Sequence, residues 1–399
     1  MKERISVMLA CVSTTSKGVW AGHRNVSVAV SAIAVMGVLA TGLLISIKPS
    51  ATAQPSATPG ATESTTASPS PSDASTPLPS PPDTPAASMT PEEFVYSDLD
   101  GVQAPSNLAH RLPVAVMIDD NAVARPQSGF SSASIVYQAP ADGGEDRYML
   151  IFQEGTATDI GPVRSARPYY VYWVAEYRAE FAHVGGDVSS LQQVIPAMSG
   201  NIYNMDALSG GSCAYHRIAT RAAPHNDYTN SAALISCAAN LKYPTTYQNL
   251  PTRPFVDDTP LAQLPATQTI SIPYRTGTVG YKFDRTTDSY LRLVDGSLQA
   301  DPANNKQVVA GSVIVMYQAV SYFDNSAIEP GHNSRPIVAN VGSGKAVVFE
   351  EGKAINATWK KTSNTALTRF YDSSGKEIPL VRGEIFMQVV PIGTAVTVK

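Results

Sequence analysis

The residues with the clearest chemical potential are two arginines in one short loop. Arg164 and Arg167 lie three positions apart within residues 161–168, directly before a predicted helix, with Ser165 between them. Guanidinium groups and the free N–H groups at a helix start both bind anions, so this loop predicts an anion site. The alternative is that both arginines pair with internal carboxylates and fix the loop.

A second polar group follows the first predicted strand. Asp119 and Asp120 come at its end, and Arg125 and Gln127 follow in the sequence Arg-Pro-Gln-Ser-Gly. Ligands often bind where the strands of an α/β sheet end, which makes Arg125 and Gln127 candidate binding residues. Pro-Gln-Ser-Gly is also ordinary turn chemistry, so a structural role is the alternative.

Two histidines are candidates for a base or a ligand-binding group. His183 ends a predicted short strand just before Asp187, and His225 is followed by Asn226. All four residues are candidate binding residues, although a histidine in a strand is more often a hydrogen-bonded core residue. No cysteine or histidine completes a zinc spacing, and no nucleotide fingerprint is present. We therefore predict neither a metal nor a cofactor.

These residues are expected to lie in an N-terminal globular domain, residues 94–255, of α/β or α+β class. A mostly antiparallel β domain is predicted over residues 265–399. In the first domain, hydrophobic periodicity predicts strands at 113–118, 133–139, 147–153 and 181–184, and helices at 168–180 and 187–198. In the second, it predicts strands at 268–272, 279–283, 289–293, 312–317, 336–341, 346–349, 370–375 and 384–390.

The N-terminal quarter predicts a membrane anchor. Residues 26–47 contain no charge and would span about 33 Å as a helix, enough for a hydrocarbon core of about 30 Å. Residues 1–25 carry an excess of Lys and Arg over acids, which predicts a cytoplasmic tail with the rest of the chain outside. A cleaved signal peptide is the alternative. Residues 48–93, rich in Pro, Ser and Thr, predict a disordered stalk.

The net charge limits the possible partners, and the cysteines indicate the compartment. A net charge of −4 argues against nucleic acid, which requires a basic surface. Cys213 and Cys237 are the only cysteines beyond the predicted anchor, where disulfides can form. This placement favours a bridge between them over two free thiols.

Motifs across residues 95–399 also carry a family resemblance. They are segments 125–129, 133–137, 161–167, 183–186 and 224–226, followed by 281–284, 342–346, 352–355, 358–361 and 370–372. Together they resemble the N-terminal and C-terminal domains of the YerB-like family, DUF3048. The resemblance implies a bacterial, membrane-associated protein outside the cytoplasm, often a lipoprotein, and implies no biochemical activity.

The sequence departs from that family in two respects. A predicted helix and stalk stand in place of the lipid anchor. Gln138 and residues 142–146 occupy positions where the family usually shows Glu and a Gly-Gly-Ile-Thr-Arg-like run, and Arg147 fills the position of that arginine.

We therefore expect a membrane-anchored extracytoplasmic protein of the cell envelope that binds an anionic ligand, such as a cell-wall polymer or a phosphorylated lipid carrier. One alternative is an enzyme acting on such a ligand, with His183 or Asp119 as the acid–base group. The other is a protein-interaction scaffold in which every motif is structural.

Overall fold

The computed structural model describes residues 93–247, 249–324, 326–327 and 334–399. The predicted cytoplasmic tail, the membrane helix at 26–47 and the stalk up to residue 92 lie outside these residues. Within the described ranges, no helix is both long and apolar enough to span a bilayer.

The first half of the described chain mixes strands with helices. The strands are β1 (Phe94–Tyr96), β2 (Gln103–Pro105), β3 (Val114–Asp119), β4 (Ile135–Pro140), β5 (Asp146–Phe152), β6 (Glu180–His183), β7 (Tyr203–Asp206), β8 (His216–Arg217), β9 (Asp227–Tyr228) and β10 (Phe255–Val256). The helices are α1 (Ser106–Ala109), α2 (Pro168–Glu176), α3 (Ile195–Ala197), which continues a π-helical turn at Ser190–Val194, and α4 (Ser231–Asn240).

The second half is built of strands. They are β11 (Thr269–Tyr274), β12 (Gly277–Asp284), β13 (Ser289–Val294), β14 (Ser297–Leu298), β15 (Ala300–Asp301), β16 (Lys306–Gln307), β17 (Val309–Ala310), β18 (Ser312–Gln318), β19 (Val320–Phe323), β20 (Arg335–Val338), β21 (Gly342–Glu350), β22 (Lys353–Lys361), β23 (Arg369–Tyr371), β24 (Leu380–Val381), β25 (Ile385–Pro391) and β26 (Thr397–Val398). The described protein is therefore mostly β-sheet with few helices.

A ten-stranded mixed sheet forms the centre, in the order β23-β22-β21-β18-β25-β4-β5-β3-β6-β7. Neighbouring strands are parallel along β18-β25-β4 and β3-β6-β7, and antiparallel elsewhere. A smaller antiparallel sheet, β14-β13-β12-β11-β26 with β17 beside β13, accompanies it.

The sequence of β3 explains why the central sheet is covered on both faces. Val-Ala-Val-Met-Ile is apolar throughout, as expected for a strand with no solvent face. Met117 packs in one core, which includes Trp173 of α2. Val116 and Ile118 point to the other core, which includes Tyr281 of the smaller sheet.

Strands from both predicted domains meet within the central sheet. β25, from the C-terminal half, lies between β18 and β4, so hydrogen bonds cross the predicted boundary. All of the described residues also fall in one compact unit. The division at residues 255–265 stays a prediction about sequence organisation, and it does not coincide with a break in the sheet.

Candidate functional site

Three charged residues meet at the end of β3. Asp119 is the last residue of β3 and lies directly opposite Arg147 of β5 in the antiparallel pair. Arg164 joins them because its N–H donates to the carbonyl of Met117 at 2.9 Å. Backbone pairing therefore brings together one carboxylate and two guanidinium groups from distant parts of the sequence.

Asp119 organises this cluster from the interior. Its side chain is fully buried, and its Oδ2 lies 2.6 Å from Nδ1 of His225. Nε of Arg164 is 3.1 Å from the same oxygen, at an angle unsuited to a hydrogen bond, so that contact is ionic. Arg164 and His225 keep about one-fifth of their side chains exposed, 20% and 18%.

Arg147 is the deeply buried cation of the cluster, and it has no carboxylate partner in the part of the chain that the structure describes. It is only 2% exposed, its Nη1 donates to the carbonyl of Ser165 at 3.0 Å, and its Nε has no hydrogen-bond partner. No carboxylate among the described residues lies within ion-pair distance of it. Burial, together with the neighbouring Arg167 and Arg164, lowers the pKa of Arg147 to about 10. Burying an unpaired charge in this way is costly.

Arg167 and Asp187, in contrast, belong to a closed buried network. Arg167 Nε donates to Asp142 at 2.8 Å. Arg335 binds Asp187 at 3.2 Å and Asp142 at 3.4 Å. Asp187 also accepts hydrogen bonds from the N–H and hydroxyl of Ser190, both at 2.9 Å, and so caps the turn that follows. These contacts match the structural alternative stated for the loop.

Arg125 and Gln127 are also occupied by internal contacts. Arg125 donates to Asp120 at 2.9 and 3.1 Å and reaches Asp295 at 3.2 Å. Gln127 donates to the carbonyl of Asp119 at 2.8 Å. Both therefore support the end of β3, and Arg125 also ties it to the residue that follows β13 of the smaller sheet.

The remaining predicted residues, His183, Asn226 and Ser165, make hydrogen bonds within the protein. His183 is fully buried, with Nδ1 2.7 Å from the carbonyl of Gly185 and Nε2 2.7 Å from Asn204. Burial lowers the pKa of His183 and so favours the neutral imidazole. Asn226 accepts from Arg217 at 2.6 Å, and Ser165 contributes its carbonyl to Arg147.

The sequence also predicts a disulfide, and the structure confirms it. Cys213 and Cys237 are bonded, with their Cα atoms 5.5 Å apart. Among the described residues, no three His, Cys, Asp or Glu side chains are grouped so that they could hold a metal ion.

Sequence reasoning missed Arg147 as a site residue. Its signal was the strand register, because the end of the first predicted strand faces the start of the third when the two pair antiparallel. Asp119 was named only as an acid–base candidate, whereas in the structure it contacts both Arg164 and His225.

Together, the fold and site define a mixed β-sheet protein with an arginine-rich cluster at the end of its central sheet. Two family models match: the N-terminal domain of DUF3048, a protein of unknown function, at residues 99–244, and its C-terminal domain at residues 270–387. The chain belongs to the YerB-like DUF3048 family. This confirms the resemblance read from the sequence.

Two comparisons with Bacillus subtilis YerB agree with this assignment. YerB of strain 168, named as a predicted lipoprotein, is 28% identical over 299 residues, 73% of this chain and 85% of that protein. The crystal structure of YerB matches with a TM-score of 0.67 at 26% identity, covering 76% of this chain and 99% of the crystallised chain.

Proposed function

We propose that this protein is held at the outer face of a cell membrane, where it binds an oxyanion through Arg147 and Arg164, beside His225. The ligand is an anionic component of the cell envelope, most simply one that carries a phosphate group. Guanidinium groups suit this role because their planar forks match the oxygens of a phosphate.

Three observations support the location. The relative YerB is named as a predicted lipoprotein, which would place it at a membrane. The Cys213–Cys237 disulfide fits an oxidising compartment. Residues 26–47 have the length and composition of a membrane-spanning helix, so a helix and stalk would do here what a lipid does for the relative.

The single observation that carries the ligand proposal is the unpaired charge of Arg147. A buried arginine is ordinarily paired with a carboxylate or surrounded by acceptors. Arg147 has one carbonyl acceptor, while Arg164 beside it is partly exposed and shares its carboxylate with His225. A bound oxyanion would supply the missing acceptors and offset the repulsion between the two arginines.

The other predicted residues would then act in support. Arg125, Gln127, Arg167 and Asp187 fix the backbone on either side of the cluster through their internal hydrogen bonds and ion pairs. The ligand contacts would fall to the cations that keep unused donors.

The test is a titration of the full-length protein in detergent with inorganic phosphate and with pyrophosphate. The melting temperature is measured at each concentration, at constant ionic strength. We expect stabilisation by at least one of these ions. Arg164→Ala should weaken the affinity about 10- to 100-fold, because a hydrogen bond to a charged group contributes roughly 1.5–3 kcal/mol. Arg369→Ala is the matched control, since Arg369 of β23 is partly exposed and paired with Glu377.

Two outcomes would contradict this proposal. Equal stabilisation of the native protein, Arg164→Ala and Arg369→Ala would mean that the anion acts on general surface charge. No stabilisation by either ion would favour the scaffold alternative, in which the arginines are structural.

A further inference from the structure

We propose that the site is catalytic and hydrolyses a phosphoanhydride, with His225 as the general base and Asp119 as its positioning residue. This inference rests on the proposed oxyanion site and adds a reaction to it. Water is the co-reactant.

The first support is the geometry of the His225–Asp119 pair. The carboxylate is fully buried and lies 2.6 Å from Nδ1 of the imidazole; because a carboxylate only accepts, Nδ1–H is the donor of this hydrogen bond. Nε2 is then the basic nitrogen, on the side of the ring away from Asp119. A buried carboxylate that fixes the tautomer and the orientation of a histidine is the arrangement required for general-base catalysis.

The second support is the placement of positive charge next to that base. Arg164 contacts the same oxygen of Asp119 as His225 does, so the two side chains are adjacent. Arg147 lies across the β3–β5 pair from Asp119, and its pKa responds to Arg164. Fixed cations beside a base stabilise the charge on phosphoryl oxygens in the transition state.

The reaction balances with these groups alone. Nε2 of His225 removes a proton from a water molecule, and the water oxygen forms a bond to phosphorus. The bridging P–O bond breaks, its electron pair goes to the departing phosphate, and His225 returns the proton to solvent. One anhydride and one water give two phosphates, with Arg147 and Arg164 holding the oxygens of the phosphoryl group.

The choice of an anhydride follows from the number of acid–base groups. The cluster supplies one such group, His225, and the nearby Asp227 is ion-paired with Arg217 at 2.7 Å. An alkyl ester would need a second group to protonate its leaving alkoxide, whereas a phosphate can depart as an anion. Two arginines also suit the high negative charge of an anhydride.

The experiment measures phosphate release from pyrophosphate by the full-length protein in detergent, with binding of methylenediphosphonate measured on the same preparations. We expect His225→Ala to lower kcat about 100-fold or more while binding is retained. Added imidazole should restore part of that rate. Asp119→Asn should lower kcat with little change in KM, and Arg369→Ala should match the native protein.

The outcomes separate the two proposals. Binding of methylenediphosphonate without phosphate release above the buffer rate would overturn the catalytic inference and leave the oxyanion site intact. Release that persists in His225→Ala, or that imidazole does not restore, would also overturn it. Failure to bind methylenediphosphonate would instead overturn the oxyanion site itself.

Discussion

Two buried arginines show how differently one protein can treat the same charge. Arg292 is fully buried and hydrogen-bonds to Tyr148 at 3.1 Å and to Tyr281 at 3.3 Å, with further bonds to Gln138 and Gln299. Four aromatic rings lie within 6.0 Å of its guanidinium carbon. Arg147 is almost as deeply buried but has a single carbonyl acceptor.

The neighbours, rather than the depth of burial, account for the difference. Burial opposes the charge of both side chains. Around Arg292, Tyr148 and Tyr281 outweigh that effect and raise its pKa, whereas two further arginines lower the pKa of Arg147. Arg292 joins the central sheet to the smaller sheet, and this is a structural role. Asp142 and Asp119 compensate the charge of Arg147 only in part, so its pKa stays lowered, which is the property expected of a residue kept for a ligand.

The largest expected effect is a loss of stability on replacing Arg292, which has four hydrogen-bond partners. Arg292→Met should destabilise the protein by about 3–5 kcal/mol, because it leaves the buried partners Gln138 and Gln299 without a donor. Chemical denaturation of the native protein and the variant measures this difference. A loss below about 1 kcal/mol would remove the contrast between the two arginines.

An intermediate effect is expected at Asp146, the residue before Arg147. Its Oδ2 accepts from the N–H of Thr276 at 3.1 Å, its Oδ1 has no partner, and burial raises its pKa from 3.8 to about 7. A raised folded-state pKa stabilises the protein below pH 4, and that stabilisation is lost as the pH rises toward 7.

Asp146→Asn should therefore reduce the decline in stability between pH 5 and pH 8 by roughly 2 kcal/mol. Thermal melts of both proteins across this range provide the measurement. Parallel curves for the native protein and the variant would show that Asp146 is not an uncompensated buried acid.

The smallest expected effect is the change in stability on replacing Arg147, which has one hydrogen-bond acceptor. Arg147→Met should change the free energy of unfolding by no more than about 1 kcal/mol, and in the stabilising direction, since it removes an unpaired buried charge and keeps the apolar volume. Denaturation under the conditions used for Arg292→Met tests this directly. A loss comparable to that of Arg292→Met would assign Arg147 a structural role.

The elements that position the site were largely predictable from local pattern. Continuous apolar runs predicted β3, β4 and β5, and Pro168 in an acceptable first-turn position supported α2. Helix α4 was missed, although Asn230 is an N-cap whose side chain accepts from the N–H of Ala233 at 2.9 Å. The many small residues of α4 give its sequence only a weak hydrophobic periodicity.

The composition of the site could not be predicted in the same way, because it depends on pairing between distant segments. From the loop sequence, Arg164 and Arg167 are equally good candidates for an anion site. In the structure, Arg167 lies beside Asp142 and is fully paired, while Arg164 shares Asp119 with His225. Which carboxylate each arginine meets depends on how the strands of the central sheet pair. That pairing also places β25 between β18 and β4, which a division into two domains does not suggest.

The most direct test of the central claim is calorimetric titration of pyrophosphate into the full-length native protein and into Arg147→Met. The account predicts binding to the native protein, and at least tenfold weaker binding to a variant that is equally stable or more stable. A variant that binds pyrophosphate as well as the native protein would contradict the claim that Arg147 is kept unpaired for an anion.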